Sequence, residues 1–173
     1  MTRLLKPIIM TATMGDSEFA WANGLRKLHY PPERNYLSAH ITLFHHLPPQ
    51  GLEEIIRLIK QITQNHSRPV CALADVMHLG RGVAYRLQSP DLLDIRQFLA
   101  ESFHGILSIQ DQQTPRLHVT VQNKVTIEES KELFRKLKSG FSPRPFEING
   151  LALHYYLDGP WKKIGSWRFR GHH

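Results

Sequence analysis

The stretch SAHITLF, residues 38–44, places a histidine two positions before a threonine inside an apolar run. Successive side chains of a β-strand point to opposite faces of the sheet. His40 and Thr42 therefore share one face, while Ile41 and Leu43 share the other. The stretch predicts a half-buried strand whose polar face carries an imidazole and a hydroxyl.

A second stretch, RLHVTVQ at residues 116–122, repeats this pattern with His118 and Thr120. His118 lies 78 positions after His40. A single His-x-Thr-apolar match is weak evidence for a site, because the pattern is short and arises by chance. Two matches at equivalent places in a repeated order of elements are much stronger evidence.

Four segments repeat apolar residues at the spacing of an amphipathic helix. These segments are 16–28, 51–65, 90–106 and 126–138. In the first, Asp16 or Ser17 is suited to cap the helix, and the predicted buried face includes Leu28. Ser89 is the expected cap of the third helix, and Thr126 opens a capping box at the fourth.

Seven apolar or alternating runs predict strands. They are approximately 5–12, 37–46, 70–79, 82–88, 116–123, 145–156 and 163–169. Residues 5–79 and residues 82–156 then follow the same order of strand, helix, strand, helix and strand. We predict a single domain, 1–173, with two pseudo-repeat lobes of these bounds and a C-terminal strand at 163–169. A pseudo-twofold axis would let the two polar faces meet across a cleft.

Two imidazoles facing one another suit the hydrolysis of a phosphodiester. The reaction needs a base to activate water and an acid to protonate the leaving oxygen. Histidine serves in either role because its ordinary pKa is about 6.5. The hydroxyls of Thr42 and Thr120 can donate to the non-bridging phosphate oxygens, where negative charge develops. Neither a metal nor another cofactor is required by this chemistry.

The two motifs, HITL (40–43) and HVTV (118–121), make the chain resemble the two-histidine (2H) phosphoesterases, in particular the bacterial RNA 2′,5′-ligase-like group. The resemblance covers essentially the whole chain. It implies an α+β fold of two lobes, with two antiparallel-rich sheets around a central cleft and helices outside. It also implies metal-independent cleavage of 2′,5′-phosphodiesters or 2′,3′-cyclic phosphates, and RNA ligation in some members. His40, Thr42, His118 and Thr120 match the family motif and are the expected catalytic residues.

Three alternatives stay open from the residues alone. In the first, the two histidines are structural residues that are hydrogen-bonded in the core. In the second, the chain is a non-catalytic module that binds RNA or nucleotides. In the third, the enzyme acts on a nucleotide-derived metabolite, such as an ADP-ribose cyclic phosphate. Turnover of a panel of cyclic and 2′,5′-linked substrates separates them.

Further residues are candidates for substrate binding because alternation or clustering places them near the motifs. They are Phe44, His46, Arg116, Gln122, Tyr155 and Trp161. An aromatic ring can stack on a base, and an arginine can pair with a phosphate. The adjacent pair at 45–46 predicts no metal site, since neighbouring strand residues face opposite ways and no Cys, Asp or Glu accompanies them.

The charge balance favours an anionic partner. Lys and Arg number 22 against 15 Asp and Glu, so the formal net charge is +7 and the isoelectric point is about 9.8. Such a charge attracts polyanions over a long range. We expect RNA ends, an oligonucleotide or a cyclic nucleotide as the substrate.

A cytoplasmic, monomeric protein with no membrane partner is expected. The lone Cys71 excludes an internal disulfide bond, and no apolar run reaches the ~18 residues of a membrane span. The terminal GHH has the composition of a purification-tag remnant and is assigned no role.

Overall fold

The structure, a computed structural model, describes residues 6–171, in which helices and strands alternate. The helices are α1 (Asp16–His29), α2 (Leu52–Asn65), α3 (Pro90–Ser102) and α4 (Ile127–Ser139). The strands are β1 (Ile8–Met14), β2 (Ile41–Leu47), β3 (Ala72–His78), β4 (Val83–Gln88), β5 (His118–Gln122), β6 (Arg144–Pro145), β7 (Ile148–Tyr156) and β8 (Trp161–Arg168). Residue 5 of the first predicted strand, and His172 and His173 of the terminal GHH, lie outside the described residues.

The strands form two four-stranded sheets in which all neighbouring strands are antiparallel. The order is β2-β1-β7-β8 in the first sheet and β5-β4-β3-β6 in the second. One apolar core joins both sheets and all four helices. The predicted α+β fold, with two antiparallel sheets, is confirmed.

The sheets and the predicted halves of the chain divide the molecule differently. Strand β3, from residues 5–79, pairs with β4 in the second sheet. Strand β7, from residues 82–156, pairs with β1 in the first sheet. Each half therefore supplies its third strand to the other half's sheet. The two motif strands are consequently held in one continuous core, and the duplication itself stays a prediction.

The strand predicted at 145–156 is two strands in different sheets. β6 pairs with β3 in the second sheet, whereas β7 pairs with β1 and β8 in the first. Between them, Phe146 is buried and its N–H donates to the Cys71 carbonyl at 2.9 Å. The chain changes sheets at this point, which a continuous apolar pattern does not show.

Helix α1 buries a different face from the predicted one. Its cap is Gly15, without a side-chain hydrogen bond, so Asp16 and Ser17 lie inside the helix. Leu28 is 76% exposed, whereas Arg26 is only 3% exposed. The predicted apolar face is therefore wrong at Leu28, because the helix turns toward backbone carbonyls that the guanidinium of Arg26 hydrogen-bonds.

The caps predicted for α3 and α4 are confirmed. The Ser89 hydroxyl accepts from the Leu92 N–H, and the Thr126 hydroxyl accepts from the Glu129 N–H, both at 3.1 Å. Helix α3 ends at Ser102, four residues before the predicted end, and the chain then turns at a glycine with positive φ. Among residues 6–171, no helix has the length and apolar character needed to cross a bilayer.

Candidate active site

The two motif strands are brought together at the edges of their sheets. β2 is the edge strand of the first sheet, β5 is the edge strand of the second, and the two strands are in contact. His118 is the first residue of β5, and His40 lies one residue before β2. The strand predicted at 37–46 includes His40, whereas the observed strand β2 begins one residue after it.

A β-bulge follows the threonine of the first motif. Thr42 pairs with Thr11 and Phe44 pairs with Met10, so Leu43 is an extra residue in β2. A bulge breaks the alternation of faces. Phe44 is 0% exposed as a result, like Leu43 before it. The expectation that Phe44 stacks on a base is wrong in this structure, because strict alternation does not continue past the motif.

The second motif carries the same bulge. Thr120 pairs with Ala84 and Gln122 pairs with Val83, which leaves Val121 as the extra residue in β5. Gln122 is only 6% exposed, and its Oε1 has no hydrogen-bond partner within residues 6–171. The expectation that Gln122 contacts substrate is therefore also wrong, since the bulge turns its side chain into the core.

Both imidazoles are held by the same local hydrogen bond. Nδ1 of His40 lies 2.9 Å from the Ser38 carbonyl oxygen, and Nδ1 of His118 lies 2.7 Å from the Arg116 carbonyl oxygen. A carbonyl oxygen can only accept, so each Nδ1 carries the hydrogen. Each Nε2 is therefore the atom that exchanges a proton, accepting when the ring is neutral and donating when it is cationic.

His40 lies in an aromatic enclosure. Its ring centroid is 4.6 Å from that of Trp161. The ring of Trp161 also contacts that of His154, with 5.2 Å between the centroids. Burial, together with electrostatic repulsion from Arg26, His118 and His154, lowers the pKa of His40 to about 4, although the hydrogen bond to the Ser38 carbonyl opposes this shift. The imidazole of His40 is consequently neutral at pH 7.

A cavity of about 510 Å³ lies in front of His40, over the first sheet. Its floor is polar because Thr11 and Thr13 on β1, and His154 on β7, point into it. Burial lowers the pKa of His154, which is not among the substrate-binding candidates named from the sequence. Alternation along β7 places the His154 side chain on the cavity face of the sheet, but this follows only once the pairing of β7 with β1 is known.

A second, smaller cavity of about 270 Å³ lies beside His118. Thr42, Arg116 and Asp111 also line it. The side chain of Arg116 is exposed, so it stands at the rim of this cavity. The two predicted motifs thus border adjacent spaces, with His40 facing the larger one and His118 the smaller one.

The remaining predicted substrate residues fall in three different places. Trp161 lines the larger cavity against His40. Tyr155 is half-buried and packs on the apolar core, because it alternates with the cavity residue His154. His46 is exposed and borders a separate cavity with Pro48, beyond the bulge. Tyr155 and His46 therefore do not line the cavity at His40, and their roles in substrate binding stay predictions.

A buried arginine connects the first helix to both motifs. Nε of Arg26 donates to the Asn35 side-chain oxygen at 3.0 Å and to the Leu37 carbonyl at 3.1 Å. Its Nη1 donates to the Thr120 carbonyl at 3.2 Å. One guanidinium therefore joins the loop before His40 to the backbone of the second motif.

A second buried arginine makes the reciprocal connection from α3. Nε of Arg96 donates to the Leu43 carbonyl, at the first bulge, at 3.1 Å. Its Nη2 donates to the Asp111 carbonyl at 2.5 Å, and its guanidinium lies 4.0 Å over the Phe44 ring. The sequence interpretation missed both arginines, because a charged residue on a helix ordinarily lies on the exposed face.

No group of three or more His, Cys, Asp or Glu residues is arranged to hold a metal ion within residues 6–171. The side chain of Asp111 is 1% exposed and accepts from the backbone N–H groups of His45 and His46, both at 2.8 Å. This carboxylate is therefore committed to holding the end of β2.

The model of the 2′-5′ RNA ligase superfamily matches residues 15–160, which include both motifs. The chain belongs to this superfamily. Its members include the 2H phosphoesterases that the motifs resemble, so a phosphoesterase or ligase type of activity is supported. A search of curated proteins found no match.

Solved structures share the fold of this superfamily member over nearly its whole length. TT0787 of Thermus thermophilus has a TM-score of 0.65 at 14% identity, covering 96% of this chain and 100% of that one. Escherichia coli LigT in complex with 3′-AMP has a TM-score of 0.59 at 14% identity, covering 95% and 98%. At this identity the likeness shows the fold alone.

Proposed function

We propose that the chain opens 2′,3′-cyclic phosphates, or cleaves 2′,5′-phosphodiesters, at RNA ends or in nucleotides, by general acid–base catalysis and without a metal ion. The observation that carries this proposal is the matched pair of imidazoles. Both rings are fixed through Nδ1 to the carbonyl two residues earlier, which leaves both Nε2 atoms available for proton transfer.

The two histidines take different roles in the proposed reaction. Nε2 of neutral His40 accepts a proton from water, and the water oxygen attacks phosphorus. The bond from phosphorus to the leaving ribose oxygen breaks, and Nε2 of cationic His118 gives that oxygen its proton. The hydroxyls of Thr42 and Thr120 donate to the non-bridging oxygens.

The pKa of about 4 for His40 supports its role as the base. The ring is neutral at pH 7 and needs no deprotonation before the reaction. A base with so low a pKa is weak in the empty site, but a bound phosphate anion raises the pKa of a nearby imidazole. Binding of the substrate therefore strengthens the base where it is needed.

Ligand complexes of a structural neighbour support a nucleotide substrate. E. coli LigT has been solved with 3′-AMP, NADP⁺, ATP and phosphate. We extend this to the present chain because a cavity of about 510 Å³ adjoins His40 and is lined by two indoles. Ligation belongs to the proposal as the same step with a ribose 5′-hydroxyl in place of water: the hydroxyl gives its proton to His40 and attacks the 2′,3′-cyclic phosphate, and the 3′-oxygen leaves with the proton of His118, which forms a 2′,5′-linkage.

A metabolite such as an ADP-ribose cyclic phosphate is a second candidate substrate. The NADP⁺ complex of LigT favours it, since NADP⁺ also contains an ADP-ribose unit and a phosphate group on a ribose oxygen. The chemistry at phosphorus is unchanged, so the two candidates differ only in what fills the cavity.

Purified protein should be assayed in EDTA against 2′,3′-cyclic nucleotides, 2′,5′-linked dinucleotides and ADP-ribose cyclic phosphate. We expect turnover of at least one of them, and none by the double variant His40→Asn/His118→Asn, which controls for contaminating nucleases. Activity that disappears on chelation and returns with a metal ion would contradict the proposed mechanism. Binding without turnover would instead favour a non-catalytic module.

A further inference from the structure

One face of β8 carries a row of polar and basic side chains over the larger cavity. Ile164 is an extra residue opposite β7, and this bulge resets the alternation of the strand. Trp161, Lys163, Ser166 and Arg168 line the cavity, and Trp167, between the last two, lines it as well. The row begins beside His40 and ends at the far end of the sheet's edge strand.

A second groove, of about 440 Å³, continues from that end between β8 and α2. It shares Ser166, Trp167 and Arg168 with the cavity, so the two spaces adjoin at these residues. Lys60 from α2 and Arg170 complete its basic lining, and no acidic residue among residues 6–171 lines it. We call this space the basic groove.

The cations along this path form no ion pairs within the described part of the chain, although Asp16 also lines the cavity. Within residues 6–171, none of Lys60, Lys163, Arg168 and Arg170 is ion-paired with a carboxylate. Lys163 and Arg168 lie opposite β7 residues that are four positions apart, which corresponds to about 13 Å along a strand. The charges are therefore spread along a track rather than gathered around one phosphate group.

We propose that the basic groove binds the sugar–phosphate chain of a single-stranded polynucleotide whose terminal nucleotide occupies the cavity at His40. The inference rests on the proposed function for the placement of that terminal nucleotide. Lys60, Arg168 and Arg170 contact successive backbone phosphates, and Trp167 forms the wall shared by the two spaces. A strand end is then a better substrate than a free nucleotide.

Oligoadenylates that end in a 2′,3′-cyclic phosphate test this directly, with one nucleotide compared against five. We expect kcat/KM at low salt to be at least tenfold higher for the pentamer in the unmodified protein. The triple variant Lys60→Gln/Arg168→Gln/Arg170→Gln should lose about tenfold or more on the pentamer. The double variant Lys60→Gln/Arg170→Gln leaves the cavity-lining Arg168 in place, so it should lose activity on the pentamer and stay within twofold on the mononucleotide. For every phosphate that the variant no longer binds, the slope of log kcat/KM against log salt should decrease by about 0.7.

A matched control removes the same number of charges elsewhere. Lys27, Lys131 and Arg135 are exposed and line neither the cavity nor the basic groove. The triple Gln variant at these positions should retain the preference for the pentamer. Equal kcat/KM for the two substrates in the unmodified protein would overturn the inference. Equal losses in both triple variants would overturn it as well.

Failure of the proposed function is distinguished by a binding measurement. If no cyclic phosphate is hydrolysed, fluorescence anisotropy with labelled pentaadenylate 3′-phosphate still tests the basic groove. Affinity that falls tenfold in the groove variant, and not in the control variant, supports the inference. Unchanged affinity overturns it, and so does competition by polyglutamate as strong as that by unlabelled pentaadenylate.

Discussion

The two His-x-Thr motifs have the same backbone but different surroundings. In both, the imidazole is tied to the carbonyl two residues earlier, and a bulge follows the threonine. His40 nevertheless stacks on Trp161 at the edge of a cavity of about 510 Å³, whereas His118 borders one of about 270 Å³ beside the exposed Arg116. The local motif thus orients the reacting nitrogen, and the surrounding sheet decides its pKa and its substrate-facing space.

The largest expected effect comes from removing either imidazole. His40→Asn and His118→Asn should each lower kcat by about 10²–10⁴-fold, the usual contribution of a proton-transfer group. The double variant should fall little below the worse single variant, because the two groups act as a unit. Steady-state kinetics with a cyclic nucleotide measures this, with His46→Asn as the control. Full activity in both single variants contradicts the assignment.

Loss of a buried arginine should disturb both motifs at once. Arg26→Met leaves the Leu37 and Thr120 carbonyls without a donor, so we expect about 3 kcal/mol less free energy of unfolding. We also expect about a hundredfold lower kcat, since small displacements of reacting groups are costly. Arg96→Met removes the donor to the Leu43 and Asp111 carbonyls, so it should also lower both the stability and kcat.

The control for this prediction is Arg57→Met, which breaks an exposed ion pair with Glu54 and should leave the free energy of unfolding nearly unchanged, because exposed ion pairs contribute little. Urea unfolding and kinetics should be measured on the same samples. An Arg26 variant that loses stability but keeps its kcat would show that the arginine supports the fold without placing the motifs.

The pH profile should sharpen the contrast between the histidines. As the base, His40 must be neutral, so kcat/KM should fall as the pH drops through about 4. Trp161→Ala admits water to the ring and weakens the desolvation that lowers its pKa. The acidic limb should then move to higher pH, by about one unit, toward the ordinary value. Trp161→Phe keeps an aromatic neighbour beside His40 and should move the acidic limb less. An unmoved limb in Trp161→Ala argues against His40 as the base.

The smallest effect concerns the equivalent positions after the bulges, which hold Phe44 and Gln122. The buried Oε1 of Gln122 has no hydrogen-bond partner among the described residues, and an unsatisfied acceptor destabilises the folded state. Gln122→Leu should therefore raise the free energy of unfolding by about 1 kcal/mol. Gln88→Leu, at an exposed position of β4, should change it by less than about 0.5 kcal/mol. A destabilised Gln122→Leu protein would show that the amide is hydrogen-bonded in solution.

Prediction from the sequence succeeded where local rules govern the outcome. The polar faces of His40/Thr42 and His118/Thr120 follow from strand alternation, and the caps at Ser89 and Thr126 follow from side-chain hydrogen bonding to the first helical turn. It failed just past each motif, because a bulge is set by pairing with a neighbouring strand. Phe44 and Gln122 were misplaced for this reason.

The sequence by itself determined the α+β class, the two motifs and the nitrogen chemistry that they offer. Only the tertiary structure decided how the motifs meet and how they differ. The exchange of β3 and β7 between sheets, and the carbonyls that hold Arg26 and Arg96, depend on residues far apart in the chain. Desolvation of His40 likewise depends on Trp161, which lies 121 positions later. Such effects arise from packing in three dimensions, and no local pattern encodes them.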